Sequence, residues 1–338
     1  ITPLLAHAAG FARCIDALTE RARAAEEAAM AVPGVTNSEG AGADWSRGMV
    51  ALATSAGFAE TYVGSRHGVS VSVIAGQGTA MERDYEFSSA RYLSDLEDAA
   101  TIGVEAGERA VKRLNPRKVA TKKVPVVFAP RVANSLIGHL AGAITGPSVA
   151  RGTSFLKDKL NQQVFAASVN VIDDPHRVRG LRSKPFDGEG VANRRLALID
   201  QGRLTTWLLD SASGRQLGLP STGHASRGTA SPPSPGASNL YLEPGPVTPA
   251  ELIEDVADGF YVTELIGFGV NPVTGDYSRG AAGFWIQQGE LVFPVSELTI
   301  AGNLKEMFRH LTPANDLRFK YGSDSPTVRI EGMTVAGT

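Results

Sequence analysis

Six histidines, His7, His67, His139, His176, His224 and His310, are the side chains here best suited to bind a transition metal or move a proton near neutral pH. Their spacing does not announce a metal site. No two form H-x-x-x-H or H-E-x-x-H, whereas a catalytic zinc takes three protein ligands converging on one point. Histidines distant in sequence can still meet in space, so that reading stays open. The single cysteine, Cys14, excludes an internal disulfide and any zinc site of several thiolates. It falls in a helical stretch, which argues against a cysteine nucleophile. Asp187 and Glu189, between glycines, could form an acid/base pair or hold a hard cation such as Ca2+ or Mg2+. The simpler reading is a turn in which the Asp satisfies backbone donors. No G-x-x-x-x-G-K phosphate loop is present. Gly76-Gln77-Gly78 does not continue into a dinucleotide fingerprint, and no serine occupies a G-x-S-x-G elbow.

The elements that must position such residues follow from periodicity. Residues 12–30 repeat Ile15, Leu18, Ala22 and Ala25 at helical spacing, and Pro33-Gly34 ends that helix. From residue 44 to 91 the pattern turns to strands, at 49–54, 61–63, 69–74 and 83–87, separated by glycines as in antiparallel hairpins. Residues 95–114 return to helical spacing. A basic connector, 117–123, precedes a buried strand at 124–128 and an apolar, small-residue helix at 131–144, to be buried or at an interface. Residues 194–207 read as two strands about a tight turn at Gln201-Gly202, and residues 283–294 repeat that design at Gln288-Gly289. The Trp285, Phe284 and Phe293 cluster is hairpin packing. Residues 221–246 are dense in Gly, Ser and Pro, and Pro232–Gly236 is expected to be irregular. The fold class is α+β: an N-terminal antiparallel sheet with flanking helices over 1–115, then a mostly-β C-terminal domain with a few helices over 116–338.

The 338 residues carry a net charge of -2, with 43% hydrophobic and 20% charged side chains. That near-neutral balance disfavours nucleic acid as a partner, and no apolar run reaches membrane-span length. Ile1–Gly10 lacks the basic start and apolar core of a secretion signal. With one thiol, a reducing, cytoplasmic setting is expected. The chain opens on Ile1 rather than Met, so sequence before it and an incomplete N-terminal domain are expectations too.

Several longer segments resemble one family. They are Asn134–Ile144, Pro185–Gly190, Leu217–Ala225, Asn271–Trp285 and Ile300–Leu304, with Arg66-His67 and Met81–Tyr85 in the N-terminal part. In this order they are similar to the TldD/PmbA family of modified metallopeptidases, from about Thr36 to the C-terminus. In that family a TldD-like subunit carries H-E-x-x-x-H and a C-terminal cysteine as its metal motif. The resemblance puts the first histidine at Asn134, the glutamate at Ser135, the last histidine at His139 and the cysteine at Tyr321. Asn134 and Ser135 are poor ligands for a borderline metal, and without a carboxylate no base is evident to deprotonate a metal-bound water. The resemblance therefore implies the PmbA/TldE-like branch, with no metal, no cofactor and no catalytic residue of its own.

The implied function is the non-catalytic half of a heterodimeric protease acting on unstructured peptides, with a TldD-like subunit as partner. A homodimer is the other assembly considered. One alternative is a non-enzymatic regulatory protein of gyrase-related or toxin–antitoxin pathways. Another is a divergent metallopeptidase drawing ligands from scattered histidines such as His139 with His224. Candidate substrate or interface residues are His139, His224, Asp276, Tyr277 and Arg279. Each has a plainer reading: packing beside Gly138 for His139, a solvated loop for His224, and a backbone-buttressing loop for Asp276–Arg279.

Overall fold

The computed structural model describes residues 2–337, with side chains from Cys14 to Gly337. The Ile1–Gly10 segment and His7 lie outside those described side chains. The chain divides into two units: residues 1–49 with 63–115, and residues 50–62 with 116–338. Both units are mixed, so the α+β class is observed, with an antiparallel sheet first and a mostly-β second unit.

In the first unit, helices α1 (Thr2–Met30) and α2 (Ala99–Lys112) cover a three-stranded sheet. Its strands are β1 (Val35–Ala53), β2 (Ala59–Ala75) and β3 (Glu82–Ala90), in that order. Alternation buries Val69, Val71, Val73 and Ala75 of β2 against Ala25, Ala29, Ile102, Ala106 and Ala110 of the helices. Small residues let those helices approach closely: a Cβ on Gly103 would lie 2.2 Å from the Ala25 carbonyl oxygen. Asp98 caps α2 by accepting from the Thr101 amide at 3.1 Å, so this helix starts later than its periodicity suggests. The strand reading needs a correction. Residues 61–63 and 69–74 are one continuous strand, and strand structure begins at Val35, well before residue 44. Gly64 and Gly68 do not break β2. A Cβ at either would collide with Arg91 or Asp44, so these glycines make room for neighbouring side chains.

The second unit holds the main core. Strands β4 (Lys122–Phe128), β11 (Asp258–Ile266), β12 (Asp276–Gln287), β13 (Glu290–Asn303), β14 (Leu311–Pro313) and β16 (Val328–Ala336) form a sheet ordered β13-β12-β11-β4-β16-β14. β13 also pairs with β16, Thr299 opposite Ala336, so five of these strands close into a ring. A second sheet is ordered β15-β10-β5-β6-β7. Its members are β5 (Val171–Asp173), β6 (Leu196–Asp200), β7 (Arg203–Leu204), β10 (Leu240–Leu242) and β15 (Ser323–Asp324). Helices α3 (Pro130–Ala143), α4 (Gly146–Ala150), α5 (Ser211–Leu217) and α6 (Leu304–Arg309) pack around them. The tip of the β1–β2 hairpin groups with this unit, where Phe58 and Tyr62 meet Phe186 edge-on at 4.9 and 5.3 Å.

Both tight turns form where the sequence places them. Gln201 and Gly202 take φ of 46° and 77°, and Gln288 and Gly289 take 52° and 79°, the left-handed pair a two-residue hairpin requires. Trp285 pairs with Phe293 across the second hairpin. The Pro-rich stretch is more ordered than its composition suggests. Ser234–Pro235 (β9) pairs antiparallel with Ala225–Ser226 (β8), because Pro235 needs no donor on its outer edge. Among the described residues, no helix is long and apolar enough to cross a membrane.

Candidate functional site

α3 organises the site. Pro130 opens it at a position where a missing N–H costs nothing. One face buries Val132, Ala133, Leu136, Ile137, Leu140 and Ala143 in the main core, packing against β11, β10 and β15. The other presents Asn134, Ser135, Gly138 and Gly142. A Cβ on Gly138 or Gly142 would meet nothing within 4 Å, so a strip of α3 backbone is open. Ser135 Oγ donates back to the Val132 carbonyl at 2.7 Å.

His139 lies beside that strip. Its ring meets Tyr277 of β12 edge-on, with centroids 6.0 Å apart. His139 Nε2 and the Tyr277 hydroxyl are both buried without a hydrogen-bond partner among the described residues. Burial, and then the nearby Arg279 guanidinium, push the His139 pKa below its ordinary value, favouring neutral imidazole. Burial holds the Tyr277 hydroxyl protonated, far above its usual range. Asp276–Arg279 open strand β12 and are not the loop their composition suggests, and Arg279 Nε donates to the Ile266 carbonyl at 3.3 Å, at the end of the neighbouring strand β11. Asp276 accepts from Thr274 Oγ1 at 2.6 Å and Asn303 Nδ2 at 2.9 Å, and these bonds hold its carboxyl below the usual range.

Tyr321 closes the turn before β15. Its amide and that of Lys320 donate to Asp324 Oδ1 at 2.7 and 2.8 Å. Burial raises the Asp324 carboxyl against those hydrogen bonds.

The residues present do not fit a catalytic metal. The motif positions offer one imidazole, a carboxamide, a hydroxyl committed to Val132 and a phenol, beside a guanidinium that repels a second cation. Among the described residues, no group of three His, Cys, Asp or Glu is arranged to hold a metal ion.

His224 is a correction. It is 3% exposed and does not line a solvated loop. Nδ1 pairs with Thr222 Oγ1 at 2.9 Å and Nε2 with Asp173 Oδ2 at 3.2 Å, so neither nitrogen is left for a ligand. Asp173 also accepts from the Ser238 amide and hydroxyl, both at 2.7 Å. Sequence reasoning missed Asp173, which sits 51 positions from its histidine. Asp187 serves a turn, accepting from the amides of Glu189 and Val191 at 2.9 Å and of Ala225 at 3.0 Å. Lys184 donates to the Ala225 carbonyl at 3.2 Å, and burial depresses its pKa against the pull of Asp187 and Asp173.

Residues 121–337 match the PmbA/TldA metallopeptidase C-terminal domain, and residues 15–114 match the central domain of the same family. The chain belongs to the PmbA/TldA metallopeptidase family. It is 42% identical over 323 residues to Metalloprotease PmbA of Escherichia coli O157:H7, covering 95% of this chain and 70% of that protein. It is 38% identical over 328 residues to a Metalloprotease PmbA homolog of Haemophilus influenzae, covering 96% and 70%. Among solved structures, a candidate modulator of DNA gyrase from Bacteroides thetaiotaomicron superposes with a TM-score of 0.85 at 29% identity, over 96% of this chain and 72% of that one. TldE from Thermococcus kodakarensis shares the fold, with a TM-score of 0.86 at 22% identity over 95% and 74%. The PmbA relatives are thus named as metalloproteases.

Proposed function

We propose that this chain is a metal-free, non-catalytic subunit that works beside a metal-bearing, TldD-like member of its family on unstructured peptides. The observation that carries the reading is the donor set at α3 and the β15 turn. One neutral imidazole, with no carboxylate beside it, cannot hold a metal with an open coordination site or activate water. The intact fold around that position supports a retained role in handling substrate. The open strip at Gly138 and Gly142 lets a partner's backbone approach closely, and a pseudo-symmetric family pair or a second copy of this chain would meet there. Extended peptide would be held through main-chain hydrogen bonds at an open strand edge such as β1. A cytoplasmic, reducing setting suits a chain with one cysteine.

The test is reconstitution. The chain alone should leave an unfolded peptide intact and retain no stoichiometric transition metal after chelation. Adding a TldD-like subunit should give a stable complex and cleavage. Stoichiometric metal, or no association and no cleavage, would overturn the reading. A regulatory role without proteolysis is a second reading, supported by the structural likeness to a candidate gyrase modulator. It predicts binding to gyrase that no metal-bearing subunit alters.

A further inference from the structure

Two short segments, far apart in sequence, come together beside the β15 turn. Residues 176–182 read His-Arg-Val-Arg-Gly-Leu-Arg, and residues 318–320 read Arg-Phe-Lys. Arg177 lies over the Phe319 ring, its guanidinium carbon 3.5 Å from the centroid. Phe319 in turn meets Tyr241 of β10 edge-on at 5.2 Å. Arg182 donates to Ser323 Oγ at 3.3 Å, and its stem covers Gly322. Asn239 pins the first segment, accepting from the Arg182 amide at 2.9 Å and donating to Ser183 Oγ at 2.9 Å. β10 and β15 pair in parallel beneath both segments. The arginines therefore project from a fixed frame.

That frame is outward-facing. Arg179, Arg182 and Arg318 are exposed, as are Val178 at 84% and Phe319 at 42%. Arg177 rests on an aromatic ring and Arg182 on a hydroxyl, and neither makes an ion pair among the described residues. Asp324, the acid held in this turn, feels the Arg177 charge, but it is 2% exposed and gives Oδ1 to two backbone amides, so the outer faces of the guanidiniums stay open to solvent. The whole chain has a net charge of -2, so this concentration of positive charge is local.

We propose that Arg177, Arg182 and Arg318, with the apolar surfaces of Val178 and Phe319 between them, bind the carboxylates of an acidic extended peptide. The proposal rests on the peptide-handling reading above and names its substrate class. Guanidinium forks match carboxylates in geometry as well as charge. Nucleic acid fits the surface less well. Base stacking needs a free aromatic face, and Arg177 already covers one face of Phe319. A phosphate backbone also calls for a broader basic stripe than three arginines on a near-neutral chain supply.

The test uses the full chain and a fluorescein-labelled, unstructured peptide with several glutamates, followed by fluorescence anisotropy. Its twin carries glutamine at those positions. The glutamate peptide should bind about tenfold more tightly at low salt, with the advantage shrinking as salt rises. Arg177→Gln, Arg182→Gln and Arg318→Gln together should erase that advantage and leave the glutamine peptide unchanged. Arg318→Gln alone, at a side chain with no packing role, should give part of the loss in a fold with unaltered melting. A charge-matched control, Lys157→Gln, Lys159→Gln and Arg215→Gln, should keep the preference. An amidated C-terminus assigns the contact to side-chain carboxylates if affinity persists and to the terminal carboxylate if it falls. Equal binding of the twins, equal loss in the control, or tighter binding of a single-stranded oligonucleotide would overturn the proposal. Unchanged affinity in the triple variant with reconstituted cleavage sinks the patch and leaves the subunit reading. Failed reconstitution with intact charge-dependent binding does the reverse.

Discussion

Tyr277→Phe should stabilise the protein, against the usual direction for a buried substitution. Tyr277 is 1% exposed, and its hydroxyl has no partner among the described residues. A buried hydroxyl without a partner costs roughly 1–3 kcal/mol. Phenylalanine keeps the ring and its edge-on contact with His139, with centroids 6.0 Å apart, and removes only the oxygen. The space left is on the order of 15 Å3, which at about 24 cal/mol per Å3 costs roughly 0.4 kcal/mol. The net gain is then about 0.6–2.6 kcal/mol. In a unit of this size each kcal/mol moves Tm by roughly 2–4 °C. Urea unfolding followed by tryptophan fluorescence reads the right unit, because Trp207 and Trp285 are buried within it. A loss of 1 kcal/mol or more would show that the hydroxyl has a partner in solution, and the account of the His139–Tyr277 pair would fail. A more stable variant that associates normally but reconstitutes weaker cleavage would assign the hydroxyl to substrate.

Asp173→Ala should cost about 3 kcal/mol or more, because it strands the His224 ring and both Ser238 donors inside the core; a cost below 1 kcal/mol in the same unfolding assay would mean the network is not what holds residues 222–226. Two glycines should respond oppositely to alanine. Gly283→Ala places a Cβ 1.9 Å from the Tyr261 carbonyl oxygen and should destabilise by about 1–3 kcal/mol, whereas Gly138→Ala meets nothing and should gain up to about 1 kcal/mol in Tm measurements. If α3 is a contact surface, Gly138→Ala should nevertheless weaken association in analytical ultracentrifugation. The His139 pKa is lower folded than unfolded, so the unfolded chain takes up the proton first, and stability contributed by neutral His139 is lost as pH falls below about 6.5. His139→Leu should flatten that part of the stability–pH curve, and an unchanged slope would place the titration elsewhere.

Local rules were legible where a feature is complete within a few residues. The turns at Gln201-Gly202 and Gln288-Gly289 form because only left-handed backbone closes a two-residue hairpin. The apolar, small-residue composition of 131–144 marked α3 as a buried helix, and six of its residues are buried. Local rules misled where a distant neighbour decides. Gly64 and Gly68 look like breaks, yet they sit inside β2 because Arg91 and Asp44 occupy the space a side chain would take.

Periodicity thus determined the fold class, and the resemblance of several segments between Arg66 and Leu304 gave the family. Those properties depend on residue identity and on short-range spacing, segment by segment. Tertiary structure alone decided that His224 is buried against Asp173, that the Tyr277 ring meets His139 edge-on, and that Arg177 lies on Phe319. The Arg177–Phe319 contact joins segments brought together by pairing of β5 with β10 and β10 with β15, Asp173 lies on β5 itself, and the His139–Tyr277 contact depends on α3 packing beside β12. The pairing is set by burial of the whole core, so no window of sequence contains it.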